Sequence, residues 1–335
     1  MMLHPGVIAL ILGSSITLLL LFTASALGIK ILIKWDMESS SEDQLILERR
    51  TYLVSTLVQY GLIFEILSIF LFIYTADDVH NLIVGAMCAT GTLNANSYGF
   101  PVLYAKIISV FISSSWIAVN HIDNGAEDYP LTRTKYTLLL FIIPFIFAGY
   151  VLQLLFFSHL SPNVITSCCG VLFSEGGPKI ASSLASLPVH KTEVTFFSLF
   201  LIMVALSIMA SKTGRKPYTV LLSIISVLFF VVSIAAIISF ISPYFYQLPS
   251  HHCPFDFLQS EYYYVGYPLY AALFTGSFFG MITGIVEPFK KIGSLASLIP
   301  SIQKRWSLIA LCAIIVFVMI VLFPMVFLPF KLEGY

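Results

Sequence analysis

Eight long apolar runs dominate this sequence, and they constrain its fold more than any other feature. Each is about 20 residues long, the length that an α-helix needs to cross the hydrocarbon core of a bilayer. Only 10% of the 335 residues are charged, against about 25% in a soluble domain. Because backbone polar groups must be paired inside lipid, we predict an all-α, polytopic transmembrane bundle that forms one membrane domain, residues 1–335. The predicted spans are 7–33, 52–74, 100–119, 136–157, 194–210, 218–241, 263–286 and 306–327.

The distribution of lysine and arginine predicts the orientation of these spans. Thirteen of the 17 Lys and Arg residues lie in or beside the loops that follow the first, third, fifth and seventh spans. Only Lys179, Lys191 and Lys331 lie on the opposite side, and Lys106 lies within the third span. Loops rich in Lys and Arg stay in the cytoplasm. We therefore expect both termini outside the cytoplasm and a multi-pass protein surrounded by the lipid of a bacterial inner membrane.

The five cysteines are placed unevenly along this topology. Cys88, Cys168, Cys169 and Cys253 lie in the three outward loops between spans, whereas Cys312 lies inside the eighth span. The outer face of a bacterial inner membrane is oxidising, so one interpretation is structural disulfides that tie these loops together. A second interpretation is thiol–disulfide exchange. Against it, the stretch 253–256 has aspartate where the usual Cys-x-x-Cys motif has its second thiol.

The segment 250–256 supports a third interpretation, a metal site. Thiolate and imidazole are ligands that copper(I) and zinc prefer, and this segment contains both. The candidate ligands or redox thiols are Cys88, Cys168, Cys169, Cys253, His251 and His252, with Asp256 orienting an imidazole. We therefore expect a protein that handles a soft, copper-like metal (or zinc) or thiol redox equivalents at the outer face. It would support an electron-transfer partner in the membrane or outside the cytoplasm.

Polar side chains inside the spans support two alternative functions. Glu65 and Gln59 lie in the second span and Gln153 lies in the fourth. An ionisable group at membrane depth costs about 2.5–3.5 kcal/mol on insertion scales, so it is by default a functional hypothesis. One alternative is a transporter or permease subunit with Glu65 in the path and structural outer disulfides. Another is a membrane anchor subunit of a respiratory complex that binds a quinone near Glu65. Lys106 is expected to snorkel outward.

Other patterns narrow the function classes. No P-loop, dinucleotide fingerprint or common hydrolase motif occurs, and the zero formal net charge gives no indication of a nucleic-acid partner. All seven histidines lie in loops or at span ends. That placement argues against an intrinsic b-type haem, which needs two imidazoles at membrane depth. In the seventh span, Gly276, Gly280 and Gly284 recur every four residues and predict a close helix–helix contact. The acidic stretch 123–128 predicts a solvated loop.

Overall fold

A computed structural model of the protein describes residues 1–36, 41–163 and 184–332. Within these residues the chain is helical and contains no strand. Eight of the described helices are long and apolar enough to cross a membrane, which confirms the predicted multi-pass helical architecture. They are α1 (Pro5–Lys34), α2 (Glu42–Val79), α3 (Gly99–Asp123), α4 (Thr132–Ser158), α5 (Val189–Thr213), α6 (Lys216–Ala236), α7 (Gly266–Ile285) and α8 (Leu298–Phe327). The single membrane domain stays a prediction.

Several helix ends differ from the predicted span ends. Helix α2 begins at Glu42 rather than at 52, and α8 begins at Leu298 rather than at 306. Hydropathy marks only the part of a helix that suits lipid, whereas the backbone hydrogen bonds continue into the charged flanks. Helix α7 begins at Gly266 rather than at 263 because Tyr263 and Tyr264 have left-handed φ angles of 53° and 56°.

The first compact unit, unit 1, comprises Met1–Val79, Leu93–Pro162 and Lys291–Leu298. It contains α1 to α4, in which α1 packs against α2 and α4, and α3 packs against the same two helices. The result is a closed four-helix bundle. Its apolar core is built from Leu18, Leu21, Ala24, Ile31, Trp35, Val58, Leu62, Trp116, Tyr136, Leu139, Ile142, Ile143 and Ile146.

The second compact unit, unit 2, comprises His80–Thr92, Asn163–Lys290 and Ile299–Tyr335. In it α6 packs against both α5 and α7. Phe196, Phe229 and Phe317 join α5, α6 and α8 through ring centroids 5.5–6.0 Å apart. The segments that carry Cys88 and Cys253 both belong to this unit.

The glycines of α7 permit the close contact that their spacing predicts. A Cβ atom placed on Gly280 would lie 2.0 Å from the Ser226 Oγ of α6. One placed on Gly284 would lie 2.7 Å from the Thr219 carbonyl oxygen of the same helix. The prediction of tight helix packing is therefore confirmed, and any larger side chain at these positions would have to push α6 away.

Candidate metal and thiol site

Two of the predicted thiols lie together in unit 2. The Sγ atoms of Cys88 and Cys253 are 3.5 Å apart, although the residues are 165 positions apart in the chain. Both side chains are buried, with exposed fractions of 1% and 0%. The Thr90 Oγ1 lies 3.2 Å from the Cys253 Sγ. The Thr90 hydroxyl and the two sulfur atoms thus form a small buried polar site.

Buried tyrosine hydroxyls hold the loop that carries Cys253. The Tyr246 hydroxyl donates to the Cys253 carbonyl oxygen at 2.8 Å and accepts from the Phe257 N–H at 3.0 Å. The Tyr270 hydroxyl donates to the Pro254 carbonyl oxygen at 2.7 Å. Because a buried backbone carbonyl needs a partner, these two hydroxyls determine where the loop can rest. They therefore position the Cys253 side chain toward Cys88.

Asp256 links the buried sulfur atoms to the surface. The Cys253 Sγ donates to Asp256 Oδ1 at 3.0 Å, and His251 Nε2 lies 2.5 Å from Asp256 Oδ2. Burial by itself raises the pKa of the Asp256 carboxyl, but hydrogen bonds from His251, Cys253 and Cys88 hold this pKa below its ordinary value. The carboxylate is therefore ionised at neutral pH. The structure places Asp256 in the position predicted for it, with one oxygen on an imidazole.

His252 lies in a separate environment. Its Nδ1 is 2.8 Å from the carbonyl oxygen of Ile238, which lies in the π-helical turn Ile237–Ile241 that follows α6. A π-turn interrupts the regular α-helical hydrogen bonds, and the imidazole donates a hydrogen bond to one of the carbonyl groups of this turn. With Nδ1 donating, the lone pair of the ring is on Nε2. The hydrogen bond of His252 thus goes to the backbone of this turn, whereas His251 is bound to Asp256 of the sulfur site.

The sulfur and carboxylate atoms are spaced for an ion. One ligand atom each from Cys88, Cys253 and Asp256 lies within 4.8 Å of the others. Two thiolates bound tetrahedrally to zinc at about 2.3 Å lie about 3.8 Å apart. A disulfide requires about 2.0 Å. The observed 3.5 Å is the contact distance of two thiols, and it lies close to the separation of two zinc ligands. The other two predicted thiols, Cys168 and Cys169, lie outside the described residues.

The intramembrane polar residues occupy two different places in unit 1. The Lys106 Nζ donates to Glu65 Oε1 at 3.0 Å and to Ser68 Oγ at 2.8 Å. Both charged side chains are only 4% exposed, so the expectation that Lys106 snorkels outward is wrong. A buried carboxylate one helix away offers it a better partner than the interface does. Gln59 Oε1 instead accepts from Asn120 Nδ2 at 3.2 Å.

Sequence reasoning missed the acid that begins the loop after α3. Asp123 is fully buried and lies 2.7 Å from the Lys135 Nζ, so the expectation of a solvated stretch is wrong at this residue. Asp123 is the last residue of α3, and Lys135 lies in the first turn of α4. An acid and a base placed on either side of a short loop could have indicated this pair. Thr90 and Tyr246 were also missed, because nothing in their own sequence context marks them.

Comparisons with known proteins give this chain no relative: no family model, no curated protein and no solved structure matches it.

Proposed function

We propose that this multi-pass membrane protein binds a thiophilic metal ion, Zn²⁺ or Cu⁺, between Cys88 and Cys253. One observation carries the proposal: two buried thiols from distant chain segments lie 3.5 Å apart beside an ionised carboxylate. Thiolates are the ligands that both ions favour, and a carboxylate oxygen is a further zinc ligand. Asp256 would serve as that ligand, and the two thiol protons would be released to water when the ion binds.

Metal binding accounts for the burial of the thiols better than thiol exchange does. Cysteines that exchange disulfides need a partly exposed sulfur that a partner thiol can reach. Here both sulfur atoms are buried, while the His251 and Asp256 side chains are 33% and 15% exposed. A small ion could pass along these two polar side chains, whereas a protein thiol could not. Structural disulfides remain an alternative to metal binding. An electron-transfer partner that the metal site supports remains an extension of this proposal.

The charges of the site favour a cation. Two thiolates and one carboxylate carry three negative charges, and a divalent ion would leave one. The His251 Nε2 lies 2.5 Å from Asp256 Oδ2 and can donate a hydrogen bond that stabilises the ligating carboxylate. A histidine bound to a ligating carboxylate also holds that ligand in place.

We also propose that the site faces away from the cytoplasm. If the eight spans of the described residues cross the membrane in alternation, the segments containing Cys88 and Cys253 would lie on the same side as the N-terminus. The loops after the first, third, fifth and seventh spans contain 13 Lys and Arg residues, which supports a cytoplasmic position for those loops. Both termini would then be outside the cytoplasm, as expected for an inner-membrane protein with an outward metal site.

Metal content of the purified full-length protein tests the proposal. The protein is loaded with Zn²⁺ or Cu⁺, freed of excess ion, and analysed by elemental mass spectrometry and by competition with a chelator. We expect one ion per chain, and an affinity at least about tenfold lower in Cys253→Ser and Asp256→Asn. Cys312→Ser is the matched control, because Cys312 is an exposed cysteine of α8. It should leave binding unchanged.

Two results would contradict metal binding. In the first, the wild-type protein holds neither ion at the site, or Cys253→Ser and Asp256→Asn both bind as the wild type does. In the second, peptide mapping finds Cys88 and Cys253 joined to each other in the isolated protein, which supports structural disulfides. Asp256→Asn keeps both thiols, so it tests the site even if Cys253→Ser does not fold.

A further inference from the structure

Unit 1 contains a layer of buried polar side chains to which all four of its helices contribute. We call it the polar layer. Its members are Ser14 of α1, Glu65 and Ser68 of α2, Lys106 of α3 and Gln153 of α4. Such a group is unusual in a lipid-embedded bundle, because burying polar atoms there costs free energy unless they are paired.

Contacts between neighbouring residues place these side chains in the same stretch of the bundle. A Cβ atom on Gly13 would lie 2.0 Å from the Phe64 ring, so α1 and α2 touch beside Ser14 and Glu65. The Ser15 Oγ and the Tyr150 hydroxyl are 2.7 Å apart, which brings α1 against α4 one turn from Gln153. Gln153 lies five residues before the end of α4, about 8 Å from that end along the helix axis.

Only part of the polar layer is satisfied by protein atoms. The ammonium group of Lys106 donates to Glu65 Oε1 and to Ser68 Oγ. By contrast, Glu65 Oε2, Ser14 Oγ and both amide atoms of Gln153 are buried and have no hydrogen-bond partner among the described residues. Gln153 is fully buried. An amide with two donors and an acceptor unmet is the clearest sign that something else occupies this stretch of the bundle.

The unmet atoms define the chemistry of the missing partner. The Glu65–Lys106 pair is already neutral, so a charged ligand would reintroduce the cost of an unpaired buried charge. Glu65 Oε2 can only accept, whereas the Gln153 amide both donates and accepts. We infer that the polar layer binds a neutral oxygen ligand that both donates and accepts hydrogen bonds. Its source is internal water or the head group of a lipid-soluble quinol.

This ligand site is independent of the proposed metal site. All residues of the polar layer belong to unit 1, and Cys88, Cys253 and Asp256 belong to unit 2. A variant of Gln153 should therefore leave the affinity for Zn²⁺ or Cu⁺ unchanged. A failure of the metal proposal would not affect the inference, and the reverse is also true.

Hydroxyl-radical footprinting of the full-length protein in lipid nanodiscs tests the water source. X-ray radiolysis in ¹⁸O-labelled water oxidises side chains beside bound water, and mass spectrometry locates the label. Tyr150 is the reporter, and Tyr136, at the opposite end of α4, is the internal reference. We expect Tyr150 labelling to fall at least about fivefold in Gln153→Leu while Tyr136 labelling stays constant, because the variant removes the main anchor of the water.

Solvent extraction of the same samples tests the quinol source. A stoichiometric quinone or quinol in the wild type that is lost in Gln153→Leu would identify a head group as the ligand. Ser14→Ala is a smaller change that serves if Gln153→Leu does not fold, with at least about a twofold fall in labelling or ligand content expected. The inference is overturned if Tyr150 labels equally in wild type and variants and no such compound is extracted.

Discussion

Replacing Asp123 by alanine should destabilise unit 1 more than any surface change in the same loop. The Asp123 carboxylate accepts from the Leu131 N–H at 2.7 Å and from the Thr132 hydroxyl at 3.1 Å. It also lies 2.7 Å from the Lys135 Nζ, with exposed fractions of 0% for Asp123 and 2% for Lys135. The carboxylate thus joins the end of α3 to the start of α4.

The magnitude follows from the separation and the burial of the two charges. At the 2.7 Å separation, an effective dielectric constant of 20 gives a Coulomb attraction of about 6 kcal/mol. Desolvation of the two ions cancels much of this attraction in the intact protein. Asp123→Ala removes the attraction and leaves Lys135 desolvated, so we expect a loss of about 3–5 kcal/mol in the free energy of unfolding.

A double-mutant cycle separates the pair from the rest of the turn. Asp123→Ala/Lys135→Met removes both charges. The free energy of unfolding of this double variant should therefore lie only about 1–3 kcal/mol below that of the wild type, which is the cost of the unpaired Leu131 N–H. Unfolding can be followed by tryptophan fluorescence, because Trp116 Nε1 donates to the Lys135 carbonyl oxygen at 2.9 Å. Asp128→Ala, at an exposed acid of the same loop, is the control and should change stability by less than about 0.5 kcal/mol.

Two outcomes of this cycle would refute the reasoning. One is an equal loss of stability in Asp123→Ala and Asp128→Ala, which would mean that the buried carboxylate adds nothing. The other is a double variant no more stable than Asp123→Ala, in which case an unpaired Lys135 charge was not the source of the loss.

Two further predictions concern unit 2. Gly284→Ala should lower the free energy of unfolding by about 1–3 kcal/mol through overpacking against α6. Gly293→Ala is the control and should have little effect, because no atom lies within 4 Å of the new Cβ. Equal melting temperatures of the two variants would contradict the close contact. Tyr246→Phe leaves the Cys253 carbonyl without its donor, so it should cost about 1–3 kcal/mol and weaken metal binding. Tyr263→Phe, at a side chain 91% exposed, should change neither the melting temperature nor the chelator competition, and identical behaviour of the two tyrosine variants would exclude the support role.

The helical type of the spans, and their number within the described residues, could be read from the sequence because lipid acts on each segment separately. A run of about 20 apolar residues must be helical in a bilayer whatever the rest of the chain does. The same locality explains the errors at the ends. Glu42 begins α2 within a charged stretch, and the left-handed backbone of Tyr263 and Tyr264 delays α7. Hydropathy therefore does not reveal either of these helix starts.

Partnership between distant side chains was decided only by the tertiary structure. The sequence identified Cys88, Cys253, His251 and Asp256 by their chemistry, but not that Asp256 would connect a half-buried imidazole to a buried sulfur pair. Glu65 likewise acquired its partner only when α2 and α3 packed together. Whether a polar side chain is solvated, paired or functional depends on atoms that lie tens of residues away in the chain, whereas preference for lipid depends on the residue itself.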